Sequence, residues 1–502
     1  MKEIELKFQI PAMAQAAVAK AVAGRTAECT RLQAQYYDTA DRLLGQAGFA
    51  LRLRKEGPCW VQTLKGRGDG LMQRLEHNAP LPDVAAPQLD LARHAGTPAG
   101  AALLALLARA GCDAQALQLQ YGTDMARTHR LVRAAGTVVE LALDQGAITA
   151  PGERRLPVCE LEFELISGTP QGLIELAQRW VRRHGLWLDV RSKAERGDRL
   201  ARGLQHGTPL RARALPLRAD MAPATALRVM LAACLEQVLA NASELAGGLG
   251  QPEHLHQLRV GLRRLRTVLH EFAALLAGDT AVAAACAELE LQLADLFAHL
   301  GAARDRDALE ELWLPALRAT GGPVPDLPPA ALSSTADELL RTRSIQTLWL
   351  ALIRLAQAPL ATTPESAATP PALEPLLREA IKRQHRRLSK DCAGFATLAP
   401  EAQHRLRKRL KRLRYSVELA AALYPAKKVA AYLTVLQPAQ DALGQYNDLQ
   451  VATQQFAALV PADPRAWYAL GWLAAQQAAA QARCVEALAA LPHAPRFWRK
   501  HG

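Results

Sequence analysis

The stretch Cys159-Glu160-Leu161-Glu162-Phe163-Glu164-Leu165 alternates acidic and apolar side chains. In an extended chain successive side chains leave opposite faces, so Glu160, Glu162 and Glu164 share one face while Leu161, Phe163 and Leu165 share the other. Taken singly, that is the ordinary half-exposed antiparallel strand. The pattern recurs, however: Glu3, Glu5 and Lys7 alternate with Ile4, Leu6 and Phe8, and Arg52 and Arg54 with Leu51 and Leu53. Thr63, Lys65 and Arg67, then Arg74 and Glu76, then Glu140 and Asp144 extend it. Charged faces on strand after strand are reconciled if the sheet closes around them and helices cover its apolar outside, which makes a barrel with a wet, charged lumen.

Working outward, strands are expected over Lys2–Phe8, Phe49–Arg54, Cys59–Lys65, Met72–Asn78, Asp124–Arg133, Thr137–Asp144 and Cys159–Leu165. Helical patterns intervene at Ala12–Val22, Gly100–Arg109 and Pro170–His184, so runs of adjacent strands favour an antiparallel sheet. From about Ala222 the chain turns Ala/Leu-rich, helical and almost strand-free. The segment His206–Pro223, with Pro209, Pro216 and Pro223, marks the boundary. The expected domains are therefore 1–205, a linker 206–221, and 222–502. The class is α+β followed by all-α.

At 502 residues and 50% apolar composition the chain can bury several cores, which excludes a small disulfide-stapled module. Charged residues make up 22%, and charge or Pro interrupts every stretch of about 20 residues, so no membrane span is expected. The N-terminus lacks the basic-then-apolar layout of a secretory signal, and the eight Cys include no C-x-x-C pair. A reducing cytoplasm fits these features. The net charge of +13 points to a polyanionic partner.

Acid and base in the first half have separable roles. Carboxylates two apart on facing strands can bind a hard divalent cation such as Mg2+ or Mn2+, while Lys and Arg neutralise phosphate oxygens. No Walker-type loop, Cys nucleophile signature or zinc spacing competes, so metal-assisted attack of water on a phosphorylated anion is the reaction best supported.

The ordered set Glu3-x-Glu5-x-Lys7, Leu51 to Arg54, Gln62 to Lys65, Glu140 to Asp144, Cys159 to Glu164 and Ser192 to Arg196 resembles the CYTH domain, the triphosphate tunnel metalloenzymes. That resemblance implies an eight-stranded antiparallel tunnel hydrolysing triphosphate-containing substrates. By position it implies Glu3, Glu5, Glu160, Glu162 and Glu164 as metal ligands, and Lys7, Tyr36 and Glu162 as catalytic. Arg52, Arg54, Lys65, Arg127, Lys193 and Arg196 would hold substrate phosphates. Tyr36 could equally be packing, and Arg196 could instead pair with Glu195 or Asp198. A register slip of one around His129 would exchange Arg127 for Arg130.

The helical half carries an internal repeat. His256 to Arg266 aligns with His404 to Arg414, matching at the His, at Leu258, Leu262 and Leu265, and at Arg259, Arg264 and Arg266. Leu300-Gly301 with Asp305 is echoed by Leu443-Gly444 with Asp448. On a helix His256, Arg259, Arg263 and Arg266 form one basic arc, repeated by His404, Arg407, Lys411 and Arg414, each beside a Leu stripe. No acid lies between His254 and His270 or between His404 and Tyr415, so pairing within each helix cannot neutralise the charge. Arg386 belongs to a further cluster, Lys382 to Arg387.

A solvated face is the plain alternative, but repetition at equal spacing favours an anionic ligand. With only 5% aromatics and none in the first stripe, specific nucleic-acid binding is not expected. The paired motifs resemble the CHAD domain, which implies two pseudosymmetric four-helix bundles binding inorganic polyphosphate. Residues 222–500 carry this likeness. The combined expectation is an inorganic triphosphatase that also binds polyphosphate and associates with polyphosphate granules. The alternatives are a non-enzymatic polyphosphate adaptor, or a hydrolase or cyclase acting on an organic triphosphate.

Overall fold

A computed structural model gives the fold and describes residues 2–68, 72–81, 87–134, 136–276, 279–327, 335–358 and 372–498. The side chains of Arg67, Arg74 and Asp305 lie outside the described residues, as do residues 359–371. The chain divides into two compact units. One comprises Met1–Arg211, Leu235–Leu258 and Asp337–Ala358; the other comprises Ala212–Cys234, Arg259–Ala336 and Pro359–Gly502.

The first unit is built on nine strands, β1 (Lys2–Gln9), β2 (Glu28–Asp38), β3 (Ala50–Glu56), β4 (Cys59–Arg67), β5 (Gln73–Leu81), β6 (Gln118–Ala134), β7 (Thr137–Ala150), β8 (Arg154–Ser167) and β9 (Trp187–Leu188). Their order is β5-β4-β3-β2-β6-β7-β8-β1-β9, with every pairing antiparallel. β1 pairs with β5 over its first residues and with β8 over its last, so the sheet returns on itself. Among the described residues nine strands stand where eight were expected. The extra one, β9, is two residues long and extends beside the end of β1.

The apolar faces point outward and are covered. Helix α1 (Gln15–Val22) packs on β6 and β7, α2 (Pro98–Ala110) on β4 and β5, and α3 (Pro170–His184) on β7 and β8. The sequence encodes the ends of α2 and α3. Thr97 and Thr169 accept hydrogen bonds from Gly100 and Gly172, Pro98 and Pro170 open the first turns, and Gly111 and Gly185 close them in the left-handed conformation. Leu103 and Leu107 of α2 pack onto Leu51 and Leu64 of the sheet, and Phe163 meets Phe8 and Trp180 edge-to-face. Each such burial stabilises the fold by about 1.5–3 kcal/mol. A short helix, α4 (Lys193–Ala201), packs against β6, β7 and β8.

Beyond the first sheet come α5 (Pro223–Ala246), α6 (Pro252–Thr267), α7 (Thr280–Ala308), α8 (Arg343–Ala356), α9 (Leu373–Cys392), α10 (Pro400–Ala420), α11 (Ala426–Leu459) and α12 (Ala466–Ala489). In the second unit α9 packs on α10, α10 on α11 and α11 on α12. The repeat is visible in its burial, because Leu262 and Leu265 of α6 and Leu410 and Leu413 of α10 are all at most 1% exposed. Among the described residues one helix, α5, is long and apolar enough to cross a bilayer, and half of its most apolar stretch is buried within the fold.

Candidate functional site: a charged passage through the sheet

Strand register decides which side chains meet, because directly paired residues share a face. Glu5 of β1 lies opposite Glu164 of β8, which lies opposite Glu140 of β7, giving a row of three carboxylates. The next row holds Lys7 and Glu162. A third runs Gln9, Glu160, Asp144, Arg127. On the other side Tyr36 faces Arg52, Arg52 faces Thr63, and Lys65 faces Glu76. Of these, Glu5, Lys7, Tyr36, Arg52, Lys65, Glu76, Arg127, Glu140, Asp144, Glu162 and Glu164 line a cavity of about 1410 Å³, together with Arg54, Tyr121 and Lys193.

Acid and base neutralise one another across the cavity. Arg127 forks onto Asp144 at 2.7 and 2.6 Å and reaches Glu162 at 2.5 Å. Lys193 lies 2.6 Å from Asp144, 2.5 Å from Glu160 and 2.7 Å from Glu162. Burial alone would raise the Glu162 carboxyl, but Lys193 and Arg127 outweigh it and hold Glu162 well below the usual carboxylate range. Lys65 bridges Glu3 at 3.0 Å and Glu76 at 2.6 Å. Burial pushes Glu3 up to about 8, aided by its hydrogen bond with Glu76. Burial likewise lowers Lys7 to about 8; its ammonium donates to the Arg191 carbonyl.

Arg52 donates to the Tyr36 hydroxyl at 3.1 Å, and Tyr36 stacks on Tyr121 with ring centroids 4.7 Å apart. Burial would raise the Tyr36 phenol, yet Arg52 outweighs it and the phenol is lowered. Tyr36 thus both packs and presents its hydroxyl to a lumen cation. Arg127 faces the lumen, whereas Arg130 turns away and donates to the Ala21 carbonyl. Arg196 pairs with Glu160, which is fully buried and lies behind the cavity wall. The lumen is not charged throughout: Leu32, Ala34, Tyr36, Tyr121 and Met125 form an apolar cluster that Ala194 and Leu200 of α4 complete.

The donor chemistry fits a hard divalent cation. Asp144, Glu160 and Glu162 each offer an oxygen, all within 4.8 Å of one another, and three carboxylates so close, two of them buried, need positive charge between them. Lys193 supplies it here. Glu5 and Glu164 belong to the neighbouring row, and Glu3 stands apart with Lys65 and Glu76. Asp144, Glu76 and Glu140 also belong to the site and were given no role from sequence, although the motif Glu140 to Asp144 and the charged face at Glu76 were the signals for them.

In the second unit the basic arcs of α6 and α10 meet charge from each other. Burial, then Arg266, Arg412 and Arg407, lower the Lys408 ammonium. Arg259, Arg263 and Arg266 converge on the Phe297 ring, at 4.4, 5.7 and 5.9 Å from its centroid, and Arg263 donates to the Tyr415 hydroxyl at 2.9 Å. Arg266 pairs with Glu290 and Arg414 with Glu418, so these repeated positions are each partly neutralised. His404 approaches Asn447 at 3.2 Å, Arg407 and Lys411 are half-buried, and Arg386 is exposed on α9. His256, exposed on the first turns of α6, belongs to the first unit. Lys408, Arg412 and Phe297 were not singled out from sequence.

Comparison with known proteins bears on both units. The CYTH domain model matches residues 1–197 and the CHAD domain model residues 229–457. The chain carries a CYTH domain followed by a CHAD domain. A curated relative, an inorganic triphosphatase of Haemophilus influenzae, is 34% identical over 165 residues, 32% of this chain and 44% of the relative. This chain therefore matches under half the length of that relative. Among solved structures, the CHAD domain from the plant Ricinus communis is 30% identical, covering 58% of this chain and 98% of that one, with a TM-score of 0.43. A Hippeastrum protein described as having a dominant triphosphatase activity is 18% identical, covering 40% and 96%, with a TM-score of 0.30.

Proposed function

We propose that the CYTH passage hydrolyses inorganic triphosphate with Mg2+ or Mn2+ and that the basic helices of the CHAD domain bind inorganic polyphosphate. The observation that carries the first half is a cavity into which the strands bring Arg52, Arg54, Lys65 and Arg127, and α4 brings Lys193, alongside Glu3, Glu5, Glu162 and Glu164. The curated triphosphatase relative supports the same reading.

Asp144, Glu160 and Glu162 would hold the metal, with Glu5 and Glu164 forming the adjoining acidic row. Bound metal supplies Lewis acidity toward phosphoryl oxygen and a water of lowered pKa. The chain's own part is an exchange of partners: Arg127 and Lys193, spent on carboxylates in this structure, turn to the phosphate oxygens and free carboxylate oxygens for the cation. Arg52 and Arg54 flank the same space, and the Tyr36 hydroxyl orients Arg52. Lys7, near neutrality by burial, places a readily lost proton beside Glu162. Arg196 acts through Glu160.

In the second unit Arg259, Arg263, Arg266, Arg386, His404, Arg407, Lys411 and Arg414 form the proposed polyphosphate-binding set, and His256, at the start of α6 in the first unit, is proposed as a further phosphate contact. We retain 1–205, 206–221 and 222–502 as the domain division, two pseudosymmetric four-helix bundles as the architecture of the last, and a cytoplasmic, granule-associated location. A substrate panel tests the reading. Tripolyphosphate, ATP and thiamine triphosphate are supplied in turn with Mg2+ or Mn2+, and products are identified. Orthophosphate released preferentially from tripolyphosphate is expected. Preferential turnover of an organic triphosphate, or cyclic nucleotide as product, would replace the inorganic substrate, and no turnover of any would leave a polyphosphate-binding adaptor.

A further inference from the structure

The first compact unit includes residues 235–258, which fall inside the match to the CHAD domain, and one of them reaches the tunnel machinery. Glu244 of α5 is 3% exposed and lines the cavity. Its Oε1 accepts from Arg199 in the second turn of α4. Its Oε2 lies 3.5 Å from Arg191, two residues before α4 begins. One carboxylate thus grips both ends of the segment that carries Lys193 and Arg196. The surroundings leave it little room to move: a side chain at Gly207 would strike Arg199, and one at Gly247 would strike Arg191. Beside it, Ser243 accepts from the Val190 amide at 3.1 Å.

The segment held in this way is the one the catalytic reading depends on. Lys193 sits among Asp144, Glu160 and Glu162, and the Arg191 carbonyl receives the Lys7 ammonium. We propose that Glu244 is a positioning residue for phosphate hydrolysis, acting through Arg191 and Arg199 to fix α4 and hence Lys193 in the passage. This inference rests on the proposed triphosphatase activity. It means that a residue from the CHAD portion of the sequence completes the tunnel of the CYTH portion, so the boundary in sequence is not the boundary of the working site.

The test uses the full chain, tripolyphosphate and saturating Mg2+. Glu244→Gln keeps the shape and removes the one charge that Arg191 and Arg199 share, leaving Arg191 to Asp189 and Arg199 to Glu195. It should lower kcat about 10-fold or more, since displacements near 1 Å already cost rate on that scale. Because the effect passes through Lys193, the double variant Lys193→Ala/Glu244→Gln should fall within about 2-fold of Lys193→Ala alone. A merely structural role would instead multiply the two losses, and that result overturns the proposal. So does a Glu244→Gln enzyme with wild-type kcat. Should Glu244→Gln fail to fold by circular dichroism, Arg199→Met, which releases one grip only, is read by the same cycle with the same two outcomes. A wild-type chain that releases no phosphate from tripolyphosphate overturns the catalytic reading and this inference with it, whereas an active wild type with an unaffected variant overturns this inference alone.

Discussion

Glu3 and Glu76 share Lys65, and the two carboxyls are driven apart. Burial raises Glu3 to about 8, while Glu76 is held low, by its hydrogen bond with Glu3 and by Lys65, against the pull of burial. The folded chain therefore holds the Glu3 proton more tightly than the unfolded chain, whose value is 4.5. This proton therefore stabilises the fold fully below 4.5, and the contribution is lost as pH rises through about 8. Glu3→Gln fixes the neutral state. Its Tm should match wild type near pH 4 and exceed it at about pH 8.5, measured by thermal circular dichroism. An equal difference at both pH values would contradict the assignment. Which charges face inward was legible from period-two alternation, as for Glu162 and Arg52. Which cation answers which carboxylate was not, since that depends on register between strands distant in sequence, such as Arg127 opposite Asp144.

Helix α4 is the element that the sequence pattern hid. Its residues Lys193–Ala201 are mostly polar and contain Gly197, so no helix was expected there; the helix sets Ala194 and Leu200 against an apolar cluster while burying Arg196. Gly197 is needed for close approach, because a Cβ there would lie 2.2 Å from the Tyr121 ring. Gly197→Ala should destabilise the protein by about 1–3 kcal/mol through overpacking, read as a lower urea midpoint, and should lower phosphate release by shifting Lys193. Wild-type stability and activity in that variant would show that α4 can yield. Strand β2 was missed for a related reason. Its inward face, Leu32, Ala34 and Tyr36, alternates with Gln33 and Gln35, and Ala gives a weak apolar signal. The strands with Leu, Phe and Val facing outward were found.

At the scale of the molecule, duplication was legible because buried Leu positions recur at equal spacing in α6 and α10. The composition of the compact units was not, since nothing local in residues 235–258 or 337–358 announces that they join the sheet. The basic arcs give a prediction of their own. Polyphosphate binding that engages about four phosphates should weaken roughly 10²-fold between about 50 and 200 mM salt, with log affinity linear in log salt. Binding insensitive to salt would contradict the ionic contact. Arg263→Ala should weaken binding and flatten that slope without altering phosphate release. The central claim is that the enclosed acids and cations act together on a phosphate chain with metal, and phosphate release from tripolyphosphate tests it most directly. Wild type should turn over with Mg2+ or Mn2+ and stop with EDTA, and Glu162→Gln should lose about 10²-fold or more of the metal-dependent rate. Release that persists in EDTA, or a Glu162→Gln chain as fast as wild type, would contradict it.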